Sequence, residues 1–225
     1  MSIDDDKRLA AEAAVAEIES GMLVGVGTGS TAAHAIAAIG ARVRAGLEID
    51  AVATSRASER LAAQHGIPLL DFEDVAAIDL AIDGADEIDP ALRAIKGAGG
   101  AMLREKIVAA AARRMIVVAD GSKRVARLGA ARLPVEVLPF ARSFVAAALA
   151  ELGAVPELRM AGADPYLTDQ DNIVFDCAVA ALDAPEALAA ALAAIPGVMG
   201  HGLFVTEVDA AYIAADGRVE RLARA

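Results

Sequence analysis

Helical spacing of apolar positions alternates with short unbroken apolar runs along the first half of the chain. Residues 4–19 carry apolar side chains at helical intervals, with acids in the first turn and Gly21 just past the end, and MLVGV (22–26) follows as a continuous apolar run. A 3.6-residue period predicts a helix, and an unbroken run predicts a strand buried on both faces. The pattern continues with a helix from about Ser30, strand IDAVA (49–53), a helix ending at Gly66, strands IPLL (67–70) and IDLAI (78–82), a helix from about Ala101 and strand MIVVA (115–119). Alternation of this kind predicts an α/β fold with a Rossmann-like parallel sheet and helices on both faces. From Leu133 the order becomes strand LPVEVL, helix FARSFVAAALAEL, strand PELRM, strand NIVFDCAVA and helix APEALAAALAA, closed by LFVTEV (203–208). That order predicts a smaller ferredoxin-like α+β domain at 131–205, inserted into a main domain formed by 1–130 and 206–225.

Composition narrows the partners. The 225 residues include 21 basic and 32 acidic side chains, a net charge of −11, which disfavours nucleic acid and anionic membrane surfaces and favours a small diffusible ligand. No apolar run approaches the ~18 residues of a membrane helix, and the acidic start MSIDDDK is unlike a secretory signal, so the expected location is cytoplasmic. The single Cys177 excludes an internal disulfide and sits in a strand-like apolar run as a core residue, while His34, His65 and His201 are too scattered for a metal site. Only four of the basic residues are lysines, Lys7, Lys96, Lys106 and Lys123.

In an open parallel sheet, ligands bind beyond the carboxyl ends of the strands, and four loops there are unusual. Gly25-Val-Gly27-Thr28-Gly29-Ser30-Thr31 follows the first strand and opens a helix, an arrangement that suits an anion through free N–H groups, the helix dipole and hydroxyl donors. It matches neither the dinucleotide fingerprint nor a Walker loop, and a tight turn capped by Ser30 is the structural alternative. Asp83-Gly84-Ala85-Asp86-Glu87-Ile88-Asp89 gathers four carboxylates at a strand end, which suits a cation, a hydroxyl-rich ligand or proton transfer. In Lys96-Gly97-Ala98-Gly99-Gly100 a scarce lysine starts a glycine-rich run that opens a helix, and Glu105 lies one turn into that helix, while Arg104 and Lys106 read as structural or solvated. Asp120-Gly-Ser122-Lys123 places another lysine at a strand end.

The order GVGTGSTA, DGADEID, KGAGGAMLREKIV, ADGSKRV, PVEVLPFA, IPGVMGHGLF resembles the type A ribose-5-phosphate isomerases over nearly the whole chain. The resemblance implies interconversion of D-ribose 5-phosphate and D-ribulose 5-phosphate in the pentose phosphate pathway, no metal or organic cofactor, and a homodimer or homotetramer. It assigns proton transfer to Glu105, with Asp83, Asp86 and Lys96 as further catalytic groups. Thr28, Gly29, Ser30, Thr31, Asp83, Gly84, Ala85, Asp86, Lys96, Gly97, Ala98, Gly99, Lys123 and Lys7 become substrate contacts. An aldose–ketose shift through an enediolate needs one base to move a proton from C2 to C1, and electropositive groups to hold the oxyanion. Two alternatives remain: a sugar-phosphate effector domain, which would lack the acids and carry a DNA-binding module, and a CoA transferase-like enzyme with a glutamate nucleophile.

Three segments depart from the family pattern. Ala98 interrupts the glycine run, which predicts negative φ there. TDQDN (168–172) stands for the usual TDNGN, and GHGLF (200–204) for the usual ENGLF; both are expected to affect packing or subunit contacts more than chemistry.

Overall fold

The computed structural model describes residues 2–179 and 182–224. Its helices are α1 (Ile3–Val15), α2 (Ser30–Arg44), α3 (Arg56–Gln64), α4 (Met102–Ala111), α5 (Arg142–Glu151) and α6 (Pro185–Ala193). The strands before residue 133 are β1 (Leu23–Val26), β2 (Asp50–Ala53), β3 (Leu80–Gly84), β4 (Glu87–Ile88), β5 (Ala94–Ile95) and β6 (Met115–Asp120). After it come β7 (Leu133–Val137), β8 (Val155–Leu158), β9 (Met160–Ala161), β10 (Asp164–Pro165), β11 (Ile173–Ala178), β12 (Val198–His201), β13 (Leu203–Phe204), β14 (Ala210–Ala215) and β15 (Arg218–Ala223).

The main sheet has the order β15-β14-β6-β3-β1-β2, parallel except for the edge strand β15. Alternate residues of the same strands feed two separate cores. Val24, Val26, Ile82, Ile116 and Val118 pack with α1 and α2, whereas Ala81, Met115, Val117 and Ile213 pack with Val108 and Ala109 of α4. This two-sided burial is why the strands read as unbroken apolar runs. Between β1 and β3 the connections diverge to opposite sides, a switch point whose crevice is the standard ligand position of such a sheet.

The smaller sheet is wholly antiparallel, in the order β12-β7-β11-β8, the arrangement expected of a ferredoxin-like split βαβ unit. Leu133, Val135 and Val137 face α5 and α6, and the intervening Pro134 and Glu136 face the other way.

Several expectations need correction. The strand that closes the smaller sheet is Val198–His201, not LFVTEV; Leu203–Phe204 pairs instead with Ala94–Ile95 in a three-stranded sheet, because the chain crosses over at Gly202, whose N–H donates to Pro134 O (2.8 Å) in the smaller sheet while its carbonyl accepts from Lys96 N–H (2.9 Å). The run 67–70 forms only an isolated bridge between Ala51 and Leu69, since Pro68 has no N–H and Leu70 is half-exposed. The first helix ends at Val15 rather than residue 19, and its last turn tightens into i→i+3 bonds from Glu17 and Ile18. Of the predicted strand 172–180, Ile173–Ala178 is formed, and Ala180 lies outside the described residues.

Two of the departures from the family pattern have structural consequences. Asp171 stands where the usual motif has glycine and takes φ 58°, a left-handed conformation that costs an L-residue free energy. Asp171→Gly is expected to raise the unfolding free energy by about 0.5–1 kcal/mol, read by chemical denaturation, with the greater freedom of glycine when unfolded offsetting part of the gain. His201 is buried, and burial together with the neighbouring Lys106 lowers its pKa to about 4, against a weaker opposing pull from Glu207. Below pH ~6.5 the unfolded chain therefore binds a proton there that the fold rejects, so stability falls as pH drops toward 4. His201→Asn is expected to remove up to about 3 kcal/mol of this acid destabilisation, visible as a flatter dependence of the denaturation midpoint between pH 6.5 and 4.

Candidate active site

At the switch point, backbone contact between two loops sets the geometry. Asp83 is the next-to-last residue of β3, and its Oδ1 accepts hydrogen bonds from the N–H groups of Thr28 (2.9 Å) and Gly84 (2.7 Å). A Cβ at Gly27 would lie 2.1 Å from that oxygen, so only glycine lets the first loop close over Asp83. Thr28 turns its hydroxyl away from the crevice into a buried cluster with Thr54 (2.8 Å), Ser55 (2.8 Å) and Ser58 (3.1 Å).

The other oxygen of Asp83 is 2.9 Å from Lys96 Nζ, and Glu105 Oε2 is 3.3 Å from the same nitrogen. All three side chains are at least 95 % shielded from solvent. Lys96 also donates to Gly84 O at 2.5 Å and lies over the Phe204 ring, 5.4 Å from its centroid. One ammonium and two carboxylates in a dry setting hold one surplus negative charge unless a proton is added. That proton resides on Glu105: burial pushes its pKa up to about 8, Lys96 pulls down, and Asp83 and Asp86 push further up. Burial opposes the charge on Lys96, but Asp83 and Glu105 outweigh it and hold the amine cationic, above its ordinary range.

Above this cluster lies a cavity of about 210 Å³. Its lining brings together Lys7, Thr28, Gly29, Ser30, Thr31, Gly84, Ala85, Asp86, Lys96, Gly97, Ala98, Gly99, Glu105 and Lys123. Of the residues the resemblance assigns to catalysis or substrate contact, Asp83 alone is not in the lining and sits beneath it. Three of the four lysines thus face one crevice of an acidic protein. Gly29, with φ 106°, precedes α2 without a side-chain cap, and Ser30 accepts a hydrogen bond from Lys7 (3.0 Å). The capped-turn reading of this loop is therefore wrong, and the first N–H groups of α2 are left for an anion.

Gly97 and Gly100 carry the positive φ angles of the second glycine-rich loop (101° and 77°), and Ala98 has negative φ as expected. The loop is gripped from both sides: Ala98 N–H donates to Asp86 Oδ2 (2.9 Å), while Arg159 donates to the carbonyls of Gly97 (3.2 Å) and Ala98 (3.1 Å). Lys106, facing away, pairs with Glu207 (2.8 Å) and covers Phe204 at 3.9 Å, so its structural reading stands.

Sequence reasoning missed Ser55, Ser58, Arg159 and Phe204. The two serines had a signal, since they follow a strand end at cap spacing. Arg159 had none, because the loop carbonyls it grips are more than sixty residues away. Among the described residues no group of three or more His, Cys, Asp or Glu is placed to hold a metal ion, and no helix is long and apolar enough to cross a membrane.

Comparison with known proteins agrees with this geometry. The sequence model described as Ribose 5-phosphate isomerase A (phosphoriboisomerase A) matches residues 50–218. Ribose-5-phosphate isomerase A of Sphingopyxis alaskensis is 53 % identical over 215 residues, covering 96 % of this chain and 94 % of that one. The enzyme of that name from Parvibaculum lavamentivorans is 45 % identical, with 96 % of each chain covered. Among solved structures, a D-ribose-5-phosphate isomerase in complex with phospho-erythronic acid superposes with a TM-score of 0.96 at 37 % identity, covering both chains fully. The protein from Methanocaldococcus jannaschii gives 0.94 at 36 %, covering 99 % of this chain and all of that one. A buried acid–lysine cluster beneath a cation-lined cavity, on a fold and sequence shared this fully, makes the chain a member of the ribose-5-phosphate isomerase A family.

Proposed function

We propose that the cavity binds ribose 5-phosphate with its phosphate on the Gly29–Thr31 turn, Lys7 and Lys123, and its aldehyde end over Glu105. The activity is the isomerisation of D-ribose 5-phosphate and D-ribulose 5-phosphate. In its carboxylate form Glu105 takes the C2 proton of the open-chain sugar, and the same group returns it to C1. The enediolate oxygen between these steps is met by Lys96, fixed in place by Asp83, and by loop N–H groups. Asp86, at the cavity wall, exchanges the hydroxyl protons of ring opening and of transfer between O1 and O2. Asp83 works from below, holding Lys96 and raising the proton affinity of Glu105.

The observation that carries this reading is Glu105 itself, a buried carboxyl group titrating near pH 8 that opens onto a cavity whose other end is cationic. A solved relative holding a phosphorylated sugar acid supports the ligand class. An effector domain has no use for such a proton carrier, and about 210 Å³ suits a pentose phosphate rather than CoA.

Turnover in deuterium oxide tests the proton-transfer route. Deuterium is expected at C2 of recovered ribose 5-phosphate, with activity unchanged by a chelator. No incorporation after many turnovers would point to hydride transfer and overturn the assignment.

The same reading includes a catalytic unit of 1–130 with 206–225, a second unit at 131–205, and a place in the pentose phosphate pathway in the cytoplasm. The buried free thiol of Cys177 fits a reducing compartment. It also includes a homodimer or homotetramer, for which Phe140 (97 % exposed) and Phe144 (58 %) offer apolar surface.

A further inference from the structure

Arg159 belongs to the smaller sheet side and does not line the cavity, yet it is firmly anchored against the loop that does. Its Nε and Nη2 form a two-pronged contact with Asp176 (2.8 and 2.5 Å), which leaves Nη1 to reach the Gly97 and Ala98 carbonyls. The guanidinium also lies 5.6 Å from the Tyr166 ring, and the Tyr166 hydroxyl donates to Gly99 O at 3.4 Å. A fork held this way has little freedom left, so the two carbonyls are fixed in direction as well as in place.

Peptide planarity then dictates what the other side of the loop presents. No peptide in the described chain is cis, so each N–H points opposite to the carbonyl of its own plane. The plane whose carbonyl is Gly97 O sends Ala98 N–H to Asp86, as observed. The next plane, whose carbonyl is Ala98 O, aims Gly99 N–H away from Arg159. Among the described residues that N–H donates to no protein group, and Gly99 is part of the cavity wall. A cation on the carbonyl also polarises the peptide and strengthens the opposite N–H as a donor.

We propose that Arg159, braced by Asp176, is a positioning residue for the isomerisation: by holding the Ala98 carbonyl from outside the cavity, it turns Gly99 N–H inward to meet the enediolate oxygen. The proposal rests on the reading of the cavity as the isomerase site. It gives the smaller sheet a part in transition-state stabilisation without contact with the substrate.

The test compares wild type, Arg159→Ala and Asp176→Asn in the coupled isomerase assay, with thermal unfolding to confirm folding. Absence of isomerisation by the wild type would defeat the underlying reading rather than this proposal. For Arg159→Ala, kcat is expected to fall on the order of 10- to 100-fold, below the 10²–10³ lost with a direct oxyanion donor, with KM within about threefold. Inhibition by phospho-erythronic acid, whose carboxylate resembles the enediolate, should weaken by a similar factor, and millimolar methylguanidinium should restore part of kcat. Asp176→Asn, which keeps the arginine but loosens its brace, should lower kcat by a smaller factor in the same pattern, and it carries the test if Arg159→Ala does not fold. A folded variant with unchanged kcat, or with a loss confined to KM, overturns the proposal.

Discussion

Glu105→Gln is expected to lower kcat on the order of 10²–10⁴-fold with KM within about threefold, because glutamine keeps the shape and loses only the proton acceptor. In the wild type kcat/KM should rise with unit slope toward pH 8, as the group titrating near that value ionises in the free enzyme. Stability should move the opposite way. Glu105 holds its proton up to about pH 8 when folded, against an ordinary value of 4.5, so the fold loses stability as pH rises through that window. The glutamine variant escapes that loss and should resist denaturant better than wild type at pH 8.5, by on the order of a few kcal/mol. A variant equally active, or one less stable at pH 8.5, would remove Glu105 as the buried base.

Lys96→Met is expected to lose both activity and stability. Without the ammonium, kcat should fall on the order of 10³-fold or more, since the developing oxyanion faces two acids and no cation. Asp83 would also be left in a dry site without its countercharge, a change that typically costs about 3–5 kcal/mol. The sign with pH identifies the cause: acidification protonates the stranded carboxyl groups, so the deficit against wild type should shrink as pH falls. Adding Asp83→Asn should recover much of the stability and none of the activity. A double variant as unstable as the single one would show that the lysine acts by packing on Phe204 rather than by charge.

Much of this site could be read from the sequence because its chemistry lies in contiguous loops. Each loop follows an apolar run, and a parallel sheet brings the carboxyl ends of such runs together whatever their separation along the chain. Lys96 and Glu105 read as one unit for the same reason, since the glycine-rich loop that Lys96 starts opens α4 and Glu105 lies in the first turn of that helix. The burial of Asp83 beneath the cavity was not legible, because it depends on Gly27 allowing another loop to close over it. Nor was the Arg159 brace, which is created by the packing of two sheets. The smaller sheet was misread only at its last strand, where GHGLF is continuous in sequence but its backbone bonds divide between two sheets on either side of Gly202.

The main sheet has one consequence for how the chain must fold. β6 and β14 are neighbours, with Ile116 beside Ala210, so 94 residues (210 − 116) separate partners in a single ladder. During synthesis β1, β2, β3 and β6 can assemble well before β14 leaves the ribosome, and until then every residue of Met115–Asp120, all buried in the finished fold, lies on an unprotected edge. An apolar edge that must wait for a distant partner invites pairing with another chain. The excursion through the smaller sheet therefore sets the interval during which a nascent molecule is most exposed to aggregation, and early folding of that sheet shortens the effective loop that β14 must close.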